Sequence, residues 1–189
     1  MITSASSLRE VAATIAHALA ARGVTVVVVG ASAITAHAHH VHNAQTLDFA
    51  VPSGLKTAVI EETLAGLGFA PSGGLFYSAS SPFSIRFVAE MPRVHERTIT
   101  NYETIDTRHG PFFALSIEDA VADRIAAYLF AHDSQSLAVA ERALETLNTQ
   151  IDRSVLKRIV DTFDGQSERA TQRRLAFLRD RLWLGKPQT

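Results

Sequence analysis

VVVVGASAITAHAHHVHNAQTLDFAV, residues 26–51, is the stretch that decides how this chain is organised. Thr25 and the four valines after it form a short, continuous, β-branched run. Such a run reads as a strand covered on both faces. Gly30, Ala31 and Ser32 follow at once and open a short Ala-rich helix. A glycine and a small residue at a helix N-terminus expose backbone N–H groups that suit a phosphate. Beyond the histidines of HAHHVH, residues Thr46 to Val51 alternate: Leu47, Phe49 and Val51 on one side, Asp48 and Ala50 on the other. That alternation predicts a second strand, half-buried, carrying a single carboxylate. A strand carboxylate a little over a dozen residues past a glycine-small turn can hold a divalent metal that bridges phosphates. The same spacing also describes an ordinary helix cap followed by a polar residue on a solvent face.

Working outward, Leu8 to Ala21 places Leu8, Val11, Ala12, Ile15 and Leu19 on one helical face, with Ser6 or Ser7 as cap and Gly23 as stop. A helix is expected over residues 53–67, with Leu55, Val59 and Leu64 apolar, and a turn at Pro71-Ser72-Gly73-Gly74. LFYSAS (75–80) and FSIRFVAE (83–90) read as an antiparallel pair, and TIDTRHGPFFAL (104–115) as a hairpin around His109-Gly110. After Leu115 the pattern turns helical: IEDAVADRIAAYLFAH capped by Ser116, SQSLAVAERALETLN capped by Asp133, then DRSVLKRIVDTF and SERATQRRLAFLRDRLWL. Strands followed by runs of helices argue an α+β fold. The expected division is a mixed α/β region over 1–115 and a C-terminal helical region over 116–189 packed on it.

The 189 residues are enough to bury a sizeable core. With 47% hydrophobic and 20% charged residues the composition is that of a globular protein, and the net charge of -1 gives no general grip on nucleic acid. The absence of cysteine excludes disulfides and thiolate metal sites and fits a reducing, cytoplasmic setting. No apolar run approaches the ~20 residues of a membrane span. MITSASSLRE lacks the basic and apolar blocks of a signal peptide, so none is expected.

Residues 26–51 resemble the opening of the nucleotidyltransferase fold of the DNA polymerase β superfamily. The likeness is to the minimal bacterial members, the group that includes AbiEii-type toxins. Those proteins carry a Gly-Gly-Ser-Ala-like turn, an Asp-x-Asp strand and a third carboxylate on a later strand. LSIEDAVADRIAAYLFAHDSQSLAVAERAL, residues 115–144, resembles a signature of one subgroup, with Asp123, Arg124, Asp133, Gln135 and Ser136 at matching positions. The resemblance implies a small mixed sheet flanked by helices and followed by a C-terminal helical bundle. It also implies a nucleoside triphosphate and Mg²⁺ in the cleft, with Gly30, Ala31 and Ser32 against the nucleotide; Thr46 and Arg86, which depart from the family pattern, line the same cleft. Asp48 would be the metal ligand, and Asp48 and Glu90 the catalytic acids.

The acidic pattern departs from the family. In one register the first Asp is replaced by Thr46; in the other, Ala50 stands where the second belongs. The third acid falls at Arg86, and Glu90 lies four residues on, ~13 Å along a strand. Two Mg²⁺ ions ~4 Å apart need several shared carboxylates. One Asp and a Thr hydroxyl hold one weak ion at best, and Arg86 repels it.

Three readings follow. The first is a catalytically degenerate homologue whose former active-site cleft binds a nucleotide or a protein partner, with Arg86 meeting a phosphate directly. The second is a Mg²⁺-dependent enzyme that moves a nucleoside monophosphate onto RNA, protein or a small molecule. The third is a non-enzymatic interaction protein, one half of a toxin–antitoxin-like pair, forming a homodimer through its C-terminal helices.

Other features have plainer readings. His37, His39, His40 and His42 read as a polar loop, although His37 with His40, or His39 with His42, would share a helical face and suit a metal. Asp123 and Arg124 read as an internal ion pair tying the tail to the sheet, with direct substrate contact as the alternative. Arg169, Arg173, Arg174, Arg179 and Arg181 read as a solvated face, with a phosphate-binding strip for RNA as the alternative. Phe163, Phe177 and Trp183 read as core or interface positions.

Overall fold

The computed structural model describes residues 2–52, 54, 56–88, 91–163 and 169–180. Its elements run α1 (Leu8–Ala20), β1 (Val27–Val28), α2 (Gly30–His37), β2 (Thr46–Ala50), α3 (Thr57–Gly66), β3 (Ala70–Ser72), β4 (Leu75–Tyr77), β5 (Ser84–Val88), β6 (Arg93–Val94), β7 (Arg97–Thr98), β8 (Glu103–Ile105), β9 (Phe112–Ala114), α4 (Ile117–Ala131), α5 (Ser134–Thr146), α6 (Arg153–Asp161) and α7 (Arg169–Arg179). This is the α+β arrangement that the sequence predicts.

The mixed sheet has seven strands in the order β3-β4-β5-β2-β1-β9-β8. β1 runs antiparallel to β2 and parallel to β9, and β2 runs parallel to β5. The valine run therefore forms a central strand. Its regular part is only Val27–Val28, because Gly30 at φ 65 turns the chain into α2 immediately afterwards. Flanking Val26 is equally buried, as expected for a strand with both faces covered.

Leu47, Phe49 and Ile85 on β2 and β5 are fully buried. The Phe49 and Phe87 rings stack with centroids 5.5 Å apart. Leu8, Val11, Ile15 and Leu19 of α1 and Val121, Ile125 and Leu129 of α4 belong to the same core cluster.

Helix ends follow local chemistry. Ser7 and Glu10 form a full capping box on α1. At α4, Ser116 accepts from the Asp119 N–H at 3.1 Å, but the Asp119 carboxylate takes an ion pair with Arg97 on β7 instead of reaching back. Asp133 caps α5 through the N–H groups of Gln135 and Ser136. Arg9 of α1 donates to the carbonyls of Ala36 and His37, closing the C-terminus of α2.

Several expectations change. The helix expected over 53–67 begins only at Thr57, without a side-chain cap. Pro71 and Ser72 belong to an edge strand, β3, which turns through Gly73 and Gly74, both at positive φ, to pair with β4. The β6–β7 hairpin has no counterpart in the sequence reading; at two residues per strand it is too short to show a period. Phe163 is buried, whereas Phe177 is 56% exposed and is no core residue. Ser53, Leu55, Glu90, Glu168, Arg181 and Trp183 lie outside the described residues.

Candidate functional site

The parallel pairing of β2 with β5 sets Thr46 beside Ser84 and Asp48 beside Arg86. Alternation along a strand turns these four side chains to the face opposite Leu47, Phe49 and Ile85. Thr46 Oγ1 and Ser84 Oγ share a hydrogen bond of 2.9 Å. One step along, Arg86 grips Asp48 with two parallel bonds: Nε to Oδ1 and Nη2 to Oδ2, each 2.8 Å. This two-pronged geometry is the strongest form of an arginine–carboxylate contact. Asp48 is largely shielded, with 14% of its side chain exposed, while 53% of the Arg86 side chain faces solvent. Hydrogen bonding to Asp48 raises the Arg86 pKa above its already high ordinary value.

The glycine turn closes over this pair. Gly30 adopts φ 65, a conformation that L side chains resist. A Cβ added there would stand 3.3 Å from Asp48 Oδ2 and 3.6 Å from Arg124 Nη2. Both the backbone conformation and the close neighbours therefore favour glycine here. Ser32 is fully buried and fixes the turn: its hydroxyl donates to the Val29 carbonyl at 2.7 Å and accepts from the Asp48 N–H at 3.0 Å. Val29 is the N-cap of α2 and supplies no side-chain acceptor, so the first amides of the helix, including that of half-buried Ala31, receive no side-chain cap.

The tail helices reach the same place. Arg124 on α4 bonds Asp123 Oδ2 through Nε (3.2 Å) and Nη2 (2.5 Å), and Ser136 on α5 through Nη1 (3.1 Å). The Asp123–Arg124 pair joins neighbours on one helix and so does not itself tie the tail to the sheet. His42, in the loop before β2, has its pKa pushed down by burial first and then by the charges of Arg124 and Arg142. It is held towards its neutral form.

The donor set does not fit a metal pair. Both oxygens of Asp48 are engaged by a cation, and among the described residues no three metal-ligating side chains converge there or elsewhere. A cation within 4 Å of a guanidinium near a protein surface meets roughly 4 kcal/mol of repulsion per unit charge. The histidine run makes no metal site either. α2 ends at His37, so His37 and His40 do not share a helical face. His37 Nε2 instead meets the Leu115 carbonyl at 2.8 Å, and His39 and His40 pack edge to face. An apolar cavity of about 300 Å³ lies apart from this site, between α1 and the β1–β9 end of the sheet, lined by Ala16, His17, Val26, Phe112 and Phe113.

Sequence reasoning missed Ser84, and for Arg124 it ranked an ion pair above a contact at the site. Ser84 carried a signal: it precedes Arg86 by two in a period-2 strand. The contact between Arg124 and the glycine turn carried none, because it depends on how α4 packs.

This fold is that of the nucleotidyltransferases. The antibiotic-resistance factor ANT(2'')-Ia superposes on the chain with a TM-score of 0.50 at 15% identity, covering 92% of this chain and 95% of that one. An antigenic nucleotidyltransferase-like protein from Paracoccidioides brasiliensis gives a TM-score of 0.50 at 9% identity, covering 87% and 90%. At such identities the likeness is one of fold. No protein-family model matches the sequence, and no curated protein matches it.

Proposed function

We propose that this nucleotidyltransferase-fold protein is catalytically degenerate and binds a nucleotide in the former active-site cleft without a divalent metal. The observation that carries this reading is the double hydrogen bond from Arg86 to Asp48 across the β2–β5 register. A metal needs a free carboxylate, and this one is already neutralised by a fixed cation. A phosphate needs a cation with spare donors. Of the five N–H groups of a guanidinium, Arg86 gives two to Asp48, and its side chain is half-exposed at the cleft surface. The uncapped first amides of α2 add a weaker attraction for the same charge. In this reading Gly30, Ala31 and Ser32 shape the phosphate cradle, and Thr46 lines its floor.

Calorimetric titration of ATP, GTP, CTP and UTP in EDTA tests it. Binding of at least one of them without Mg²⁺, lost in Arg86→Ala, is the expected result. Binding that strictly requires Mg²⁺, or Mg²⁺-dependent incorporation of nucleoside monophosphate that Asp48→Ala abolishes, overturns the proposal in favour of a working transferase.

A further inference from the structure

We propose that Arg124 is a second phosphate-binding residue of this cleft, meeting from α4 the same triphosphate that Arg86 meets from β5. The inference rests on the nucleotide-binding reading above and adds a residue and a direction of approach to it. Three observations support it.

The first is position. Arg124 Nη2 lies 3.6 Å from the point where a Gly30 Cβ would stand, and Asp48 Oδ2 lies 3.3 Å from that same point. The guanidinium therefore borders the glycine turn and not only its own helix. Arg86 and Arg124 thus flank one turn from two different elements.

The second is pre-organisation with donors to spare. Nε and Nη2 are braced on Asp123 Oδ2, and Nη1 on Ser136 Oγ. Ser136 in turn donates to Asp133 Oδ2 at 2.7 Å. The brace uses three of the five N–H groups, leaving one on each terminal nitrogen, including the Nη2 nearest Gly30. An arginine fixed before its ligand arrives loses less rotamer freedom on binding.

The third is charge: after burial, the Arg124 guanidinium is the next cause that holds His42 towards its neutral form. A ligand with several negative charges meets two guanidiniums there, and its terminal oxygens match their donors.

Titration of ATP and of inorganic tripolyphosphate in EDTA, each paired with a urea melt, tests the assignment. Arg124→Gln is expected to weaken both ligands roughly tenfold or more while shifting the urea midpoint little. Arg124→Lys, which keeps the charge and loses the planar donors, is expected to fall between it and wild type. Should Arg124→Gln fail to fold, Arg124→Lys decides: weakening of about threefold or more supports the assignment, and unchanged affinity overturns it. Wild-type affinity in Arg124→Gln beside lost binding in Arg86→Ala overturns the role of Arg124 and leaves the nucleotide-binding reading standing. Weakening of ATP alone overturns the phosphate contact, and a wild-type protein that binds neither tripolyphosphate nor any of ATP, GTP, CTP and UTP overturns both proposals.

Discussion

β2 and β5 present two faces that differ by a single residue of register. On one, Leu47, Phe49 and Ile85 are fully buried and the Phe49 and Phe87 rings stack. On the other, Thr46 meets Ser84 and Asp48 meets Arg86. The first face is held by area removed from water, which any well-packed apolar set supplies. The second is held by pairing chemistry that contributes little to stability when half in solvent. Fold and site are thus carried by alternate residues of the same two strands, and substitutions should separate them.

The largest effect belongs to the buried face. Phe49→Ala should destabilise by about 3–5 kcal/mol in urea melts through lost burial and the cavity left behind. A loss under ~1 kcal/mol would mean that this face is not the core. Gly30→Ala should cost about 1–2 kcal/mol for its left-handed backbone alone. Its methyl group would also crowd Asp48 and Arg124, so binding in the cleft should fall together with stability. An unchanged nucleotide affinity would detach the turn from the polar face. Asp133→Ala removes the cap of α5 and should cost about 1 kcal/mol.

Arg86→Ala is the counterpart of Phe49→Ala: it leaves the shielded Asp48 carboxylate without its partner and should cost about 1–3 kcal/mol, less than Phe49→Ala, while abolishing metal-free nucleotide binding. A stability loss matching that of Phe49→Ala would break the contrast between the faces.

The smallest effect is one of pH. His42 has a depressed pKa in the folded protein, so below its unfolded value of about 6.5 the unfolded chain takes up the proton more readily. Stability is fully present above that pH and declines as pH falls towards the depressed folded value. His42→Gln should flatten this part of the profile in thermal melts across pH 5–7.

The apolar face was legible in the sequence because packing imposes a period. TVVVV, LDFAV and FSIRFV each showed strand chemistry, and the Gly30 turn and Ser116, Asp133 and Ser7 caps fell where local residue preferences put them. The polar face was legible only in part. The sequence placed Asp48 and Arg86 on strands and put them in opposition through a family resemblance, but the double bond between them depends on β2 and β5 lying parallel in one register. That register joins segments separated by α3 and the β3–β4 hairpin, and no local pattern specifies it. The histidine run reads as a polar loop, and past His37 it is one; the shared helical face that its spacing also allowed does not form, because Arg9 caps the C-terminus of α2 at Ala36 and His37.

Pro71, the middle residue of the outermost strand β3, has a consequence for how the molecule behaves in a crowd. All three residues of β3 are exposed, so the strand is a rim onto which another extended chain would stack. Proline has no N–H to offer at the centre of that rim, and the strand is too short to supply a ladder around it. Between folded copies, growth of the sheet is therefore blunted on the β3 side, and a substitution such as Pro71→Val should raise the tendency of concentrated protein to form β-rich aggregates.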